Sequence, residues 1–311
     1  MTGRRSLRVL AATVLLALAG CATPDLARLR ADGGLPPRAE IADVPFHSQQ
    51  ALYCGPAALA TVLGWSGLPA RQETVAAAVY TPGREGTLGH DLIAAASRHG
   101  RLAVPVADLP ALLGEVAAGH PVLVLQNLGL DWYPQWHYAV VVAYDLDAGE
   151  LALRSGAERR RVTPLDTFAR TWARGDRWAI VVLPPDVLPA SAGEEAVVRA
   201  ASGLERAGRA AEAAIAYDTI LGRWQGSLAA AIGRGNARYA AGDLDGAAAA
   251  YRAALDRHPD AGALWNNLAD VLATRGERDA AVIAARRAVA LGGPHAATYR
   301  QTLDQLSGGP A

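Results

Sequence analysis

The chain has 311 residues, 51% of them apolar and 19% charged, with thirty basic residues set against thirty acidic ones. That composition can build a core and excludes a chain disordered by composition, and the charge balance removes the electrostatic case for a nucleic-acid partner. Two cysteines are too few for a disulfide framework, so each needs its own explanation, and the length allows two folded domains behind a leader.

Arg4, Arg5 and Arg8 precede the apolar run Val9 to Ala19, which ends at Gly20 and Cys21. This is the layout of a secretory signal, and the run is too short to span a bilayer comfortably. Its end, Leu18-Ala19-Gly20-Cys21, resembles a bacterial lipobox, which implies that residues 1–21 are a lipoprotein signal peptide and that Cys21 is lipidated. Two or more acyl chains would anchor the protein stably to a membrane. Ala22, where an aspartate would stand for inner-membrane retention, favours by resemblance the outer membrane facing the periplasm. Residues 22–40, with Pro36 and Pro37, read as a tether.

From residue 41 to 187 strand-like apolar runs alternate with alanine-rich helical segments, the pattern of an α+β domain. Cys54 stands immediately ahead of the helical run Gly55 to Ala60. A thiol at a helix N-terminus meets the positive end of the macrodipole and the orphan amides, which favour a thiolate nucleophile. The same amides, with a side-chain donor just upstream such as Gln49, can form an oxyanion hole for acyl transfer. A single unpaired thiol kept after export argues that its sulfur is used. His137 opens the continuous Val/Ala/Tyr run Tyr138 to Tyr144, read as a buried strand whose mouth holds the imidazole rigidly as a base. Pro121 to Gln126 and Leu151 to Arg154 read as its neighbours. His47, His90, His99 and His120 read as ordinary loop, helix or turn histidines.

Gln49, then Cys54-Gly55-Pro56-Ala57-Ala58, then His137-Tyr138-Ala139-Val140-Val141 together resemble the bacteriocin-leader (double-glycine) family of papain-like cysteine peptidases, over about Val44 to Leu183. The resemblance implies a papain-like fold with Cys54 as nucleophile, His137 as base and Gln49 as oxyanion donor. It is to a lipoprotein branch with helical repeats rather than to the exporter-fused kind, because no transporter segments follow. The family places an acid on the strand after the histidine strand, whereas the matching stretch here is Leu153-Arg154-Ser155-Gly156. The group that orients His137 is then Ser155, or Asp145 if the turn after its strand folds back; turn chemistry is the plainer role for Asp145. Trp132, Tyr133, Trp136 and Trp172 read either as the lining of a substrate cleft or as packing aromatics. No metal-ligand cluster, phosphate loop or dinucleotide fingerprint is visible, so neither metal nor cofactor is expected.

After a short linker at 188–193 the strand signals vanish. Gly208, Gly242 and Gly276 recur every 34 residues, as do Ala213, Ala247 and Ala281, with Tyr217 and Tyr251 in the same register. Residues 194–305 resemble about three tetratricopeptide repeats, an all-α solenoid, and 306–311 read as a flexible tail. Small residues let the paired helices approach and glycine permits the turn between them. The expected protein is thus an α+β papain-like cysteine peptidase domain followed by a tetratricopeptide-repeat solenoid that recruits a peptide or protein, or serves as a spacer. Two other functions fit the same residues: a catalytically silent peptide-binding scaffold for envelope assembly, and a thiol amidase or transpeptidase.

Overall fold

The computed structural model describes residue 29 and residues 33–48, 53–79 and 87–308. The sheet half is built on the strands β1 (Arg38–Glu40), β2 (Leu102–Pro105), β3 (Val122–Asn127), β4 (Trp136–Asp145), β5 (Glu150–Ser155), β6 (Glu158–Pro164) and β7 (Ala179–Leu183). They form one antiparallel sheet in the order β2-β7-β3-β4-β5-β6. On one edge of β4, β3 pairs with Trp136 to Val141, and β1 takes over beside Ala143 to Asp145. On the other edge β5 pairs only from Val140 onward, after which a bulge shifts the register. The first residues of β4 therefore lie beyond the end of β5, and His137 is among them.

Sequence pattern explains these placements. Tyr138 to Tyr144 are all buried, as a central strand with neighbours on both edges and packing on both faces requires. The edge strand β6 carries Glu158, Arg159, Arg160 and Arg161, charges that discourage pairing with another chain. Helix α1 (Cys54–Trp65) is apolar on every side, and Gly55 to Leu63 are all buried, the mark of a core helix. It packs against the helix that follows it and, among the strands, chiefly against β4. Helices α2 (Gln72–Val79), α3 (Gly89–Arg98), α4 (Leu109–Ala117) and α5 (Leu165–Ala173) complete this half.

Seven consecutive helices follow: α6 (Glu194–Arg206), α7 (Ala210–Arg223), α8 (Leu228–Ala240), α9 (Leu244–Arg257), α10 (Gly262–Thr274), α11 (Arg278–Leu291) and α12 (Ala296–Ser307). Gly208, Gly242 and Gly276 stand at the ends of alternate helices with φ of 72°, 80° and 82°, the left-handed conformation in which glycine has no Cβ penalty. Ala213, Ala247 and Ala281 are each fully buried. Tyr217 and Tyr251 fill the gaps between units, and their rings occupy the space where side chains on Gly233 and Gly235 would project.

The two halves share packing. One continuous apolar cluster runs from the sheet through Val197, Ala201 and Leu204 of α6 to Ala213 and Tyr217 of α7. The connection is pinned as well. The fully buried Glu115 carboxylate of α4 accepts bonds from the backbone N–H groups of Ala190 (3.1 Å) and Ser191 (2.7 Å) and lies 2.7 Å from His120 Nδ1. Burial alone would raise its pKa, yet these partners together hold the carboxyl below its ordinary value. Arg223 of α7 donates to Pro189 O (3.1 Å) and Arg209 to Arg98 O (2.7 Å).

Candidate active site

Cys54 is the first residue of α1, and its thiol is reduced and half-buried. The first intrahelical bond is donated by Ala57 to Tyr53 O (3.0 Å). Helix geometry leaves the N–H groups of Cys54 and Gly55 without an intrahelical acceptor, and Pro56 has no N–H to satisfy. The turn thus presents backbone donors beside the sulfur. Gly55 is required for space: a Cβ there would come within 2.8 Å of Thr87 Cβ. Thr87 O in turn accepts a bond from Tyr138 Oη (3.2 Å), so the segment that covers the first turn of α1 is tied to β4 next to His137. Burial first, with Cys54 and Asp91 adding to it, pushes the Tyr138 phenol far up, so it remains a neutral donor. Its ring meets Trp178 edge-on at 5.5 Å.

His137 is the second residue of β4, opposite Gln126 of β3. Gln126 is itself engaged, donating to Thr171 Oγ1 (2.6 Å). On the side that β5 leaves open, Ser155 Oγ lies 2.8 Å from His137 Nε2. Ser155 is buried, so this contact is shielded from water, and it leaves Nδ1 as the ring nitrogen available for a proton from another group. Burial, and then the nearby Arg161 charge, push the His137 pKa below its ordinary value. Both effects favour a neutral imidazole, the form that accepts a proton. The described residues include no direct hydrogen bond between the Cys54 sulfur and His137.

A helix bearing a thiol at its first turn, laid on a strand bearing an imidazole at its start, is the arrangement on which the comparisons with known proteins bear. Residues 41–179 match the model of the Peptidase_C39 like family. The sheet half, an α+β domain, is the part of the chain that this model matches. Residues 232–296 match the tetratricopeptide-repeat model. The crystal structure of a protein from Bacillus anthracis assigned as a C39-like peptidase aligns at 18% identity over 47% of this chain and 97% of its own, with a TM-score of 0.42. That of a double glycine motif protease from an AMS/PCAT transporter, in complex with the leader peptide, aligns at 19% identity over 47% of this chain and 96% of its own, with a TM-score of 0.34. No curated protein matches the chain.

Within the sheet half the two candidates for the group that orients His137 are separated. Asp145 ends β4, eight residues beyond His137, or about 26 Å along an extended strand. It accepts from Ala148 N (2.9 Å) in the turn and lies 3.7 Å from Arg38, so it does not reach the imidazole. The turn carries the chain into β5 rather than back over the strand, and the far end of β5 brings Ser155 to the histidine. Gln49 and Cys21 lie outside the described residues. Of the aromatics, Trp172 is core: it is fully buried, stacks on Phe168 and donates from Nε1 to Trp178 O (3.0 Å). Trp132, Tyr133 and Trp136 are exposed on the loop that enters β4. The support from Thr87 and Tyr138 was not foreseen from sequence. Thr87 is far from both Cys54 and Tyr138 in the chain, and nothing in its local context marks it.

Proposed function

We propose that the chain is a cysteine peptidase of the bacterial cell envelope, with Cys54 as nucleophile and His137 as general base and acid. The observation that carries this reading is the placement of Cys54 at the first turn of α1, packed on the strand whose second residue, His137, is held at Nε2 by Ser155. In the first step the Cys54 thiol passes its proton to neutral His137 while the sulfur adds to the scissile carbonyl. The N–H groups of the first turn and the Gln49 side chain are the donors for the resulting oxyanion. Collapse of the adduct breaks the C–N bond, and His137 returns the proton to the leaving amine. A water molecule, deprotonated by His137, then hydrolyses the thioester and restores the thiol.

The same reading assigns Cys21 as a lipid anchor in the outer membrane facing the periplasm, and the helical half as the recruiter of a peptide or protein. The silent-scaffold alternative draws on one observation, that His137 is partnered by a serine rather than a carboxylate. Alkylation separates the two. In a chain begun at residue 22, iodoacetamide is expected to modify Cys54 rapidly, and His137→Ala is expected to slow that reaction at least tenfold and to abolish peptide hydrolysis. Equal alkylation rates in the two proteins, with no hydrolysis by either, would sink the catalytic assignment.

A further inference from the structure

The loop joining β3 to β4 breaks the usual rule for solvent-facing loops. Trp132, Tyr133, Trp136, Leu130 and Leu128 are 79%, 64%, 55%, 54% and 41% exposed, five large apolar side chains within nine consecutive residues. Such a cluster on one short loop marks an interaction site. The loop is also rigid. Leu128 N donates to Gln135 O (2.9 Å), and Leu130 and Tyr133 exchange backbone bonds of 3.1 and 3.0 Å. The buried Asn127 accepts at Oδ1 from Gly129 N (3.0 Å) and Gln135 N (2.9 Å), while Arg174 donates to its carbonyl (3.0 Å). Gly129 lies so close to Tyr133 O that no side chain fits there. A preorganised apolar loop binds without a large ordering cost.

From this geometry we infer that the hairpin Leu128–Trp136 is the substrate-recognition element of the site and takes a peptide segment carrying large apolar side chains. The inference rests on the peptidase reading for the identity of the ligand as substrate. Continuity supports it, because Trp136 is the residue before His137 and both belong to β4. Charge supports a peptide over a membrane. The sole charge among residues 128–136 is Asp131, whereas a loop meeting anionic headgroups gains from Lys and Arg. The chain's path agrees. β1 joins β4 at its Asp145 end, so whatever precedes Arg38 arrives about 30 Å along the strand from Trp136.

The test uses the full chain in mild detergent, with Cys54→Ala to permit binding without turnover. The probes are two fluorescein-labelled dodecapeptides of Gly and Ser, one with Leu, Phe and Leu at three positions and one with Ser at those positions. The apolar peptide is expected to bind at least tenfold tighter than its control. The triple variant Trp132→Ser/Tyr133→Ser/Trp136→Ser is expected to erase that preference without lowering the melting temperature. Trp132→Ser, at the most exposed of these positions, guards against misfolding of the triple variant and is expected to give a smaller loss in the same direction. Equal affinity for both peptides overturns the inference. So does a triple variant that binds peptide normally but loses adhesion to phosphatidylglycerol vesicles or loses self-association. If the Cys54 chain cleaves neither peptide while the preference and its loss are seen, hairpin recognition stands and the peptidase reading fails.

Discussion

The two halves of the chain solve the problem of placing side chains in different ways. In the helical half Tyr217 and Tyr251 answer to neighbours in the adjoining helix: Tyr251 packs on Gly235, and its hydroxyl donates to Asn236 Oδ1 (2.6 Å). In the sheet half the candidate site is assembled from residues far apart. Cys54 begins one helix, Thr87 covers its first turn, His137 begins a strand, and Ser155 ends the next one. Local, repeated packing makes a surface that can lose one unit without losing the others. Non-local packing makes a single geometry in which each contact depends on the whole sheet.

That difference can be broken open by mutation, beginning with the largest expected effect. Tyr251→Ala removes a fully buried ring between α8 and α9 and is expected to cost about 3–5 kcal/mol locally. Hydrogen exchange is expected to rise across α8 to α11, while the sheet half keeps its protection and its peptide-binding preference. Exchange rising equally in β3 and β4 would show that the halves unfold as one unit and that the contrast is false. Glu115→Gln probes the clasp between the halves. It replaces a buried carboxylate that three residues satisfy, at an expected cost of about 2–3 kcal/mol. The sign with pH follows from the carboxyl's lowered pKa. Its stabilisation is fully present above the unfolded carboxyl range, near pH 4.3, and is lost as pH falls through the folded value. The stability gap between wild type and Glu115→Gln is therefore expected to shrink as the pH falls through the carboxyl range. A gap that widens below pH 4 would contradict the assignment.

The contrast also explains what could be read from the sequence. The repeats announced themselves because their contacts recur at a fixed spacing, so Gly208, Gly242 and Gly276 carry the same backbone role in the same register. Cys54 and His137 were legible for a different reason: each sits at the end of a strongly patterned element, a helix apolar on all sides and a strand of continuous Val, Ala and Tyr. The partner of His137 was not, because chain order leaves both Ser155 and Asp145 open, with turn chemistry the plainer role for Asp145. Only the register of β4 against β5, including its bulge, sets one beside the imidazole and the other at the far end of the strand. The rigidity of the hairpin was hidden too. It depends on Asn127, whose side chain caps two amides across the loop, and on Arg174, which reaches back from the end of α5.

The smallest expected effect is the most informative about the site. Ser155 meets His137 Nε2 through a hydroxyl, which orients the ring without supplying charge. Among the described residues, no carboxylate contact then opposes the burial and the Arg161 charge that depress the His137 pKa. A general base must be neutral to act, so the acid limb of kcat/KM is expected below the ordinary histidine value of about 6.5. Ser155→Ala removes the orienting bond but not the causes of the depressed pKa. It is expected to lower kcat/KM roughly three- to tenfold while leaving the limb on the acid side. Ser155→Asp places a carboxylate against Nε2–H, which stabilises the imidazolium and moves the limb to higher pH. If the limb stays in place in Ser155→Asp, residue 155 does not act through His137, and the bond at 2.8 Å serves packing alone.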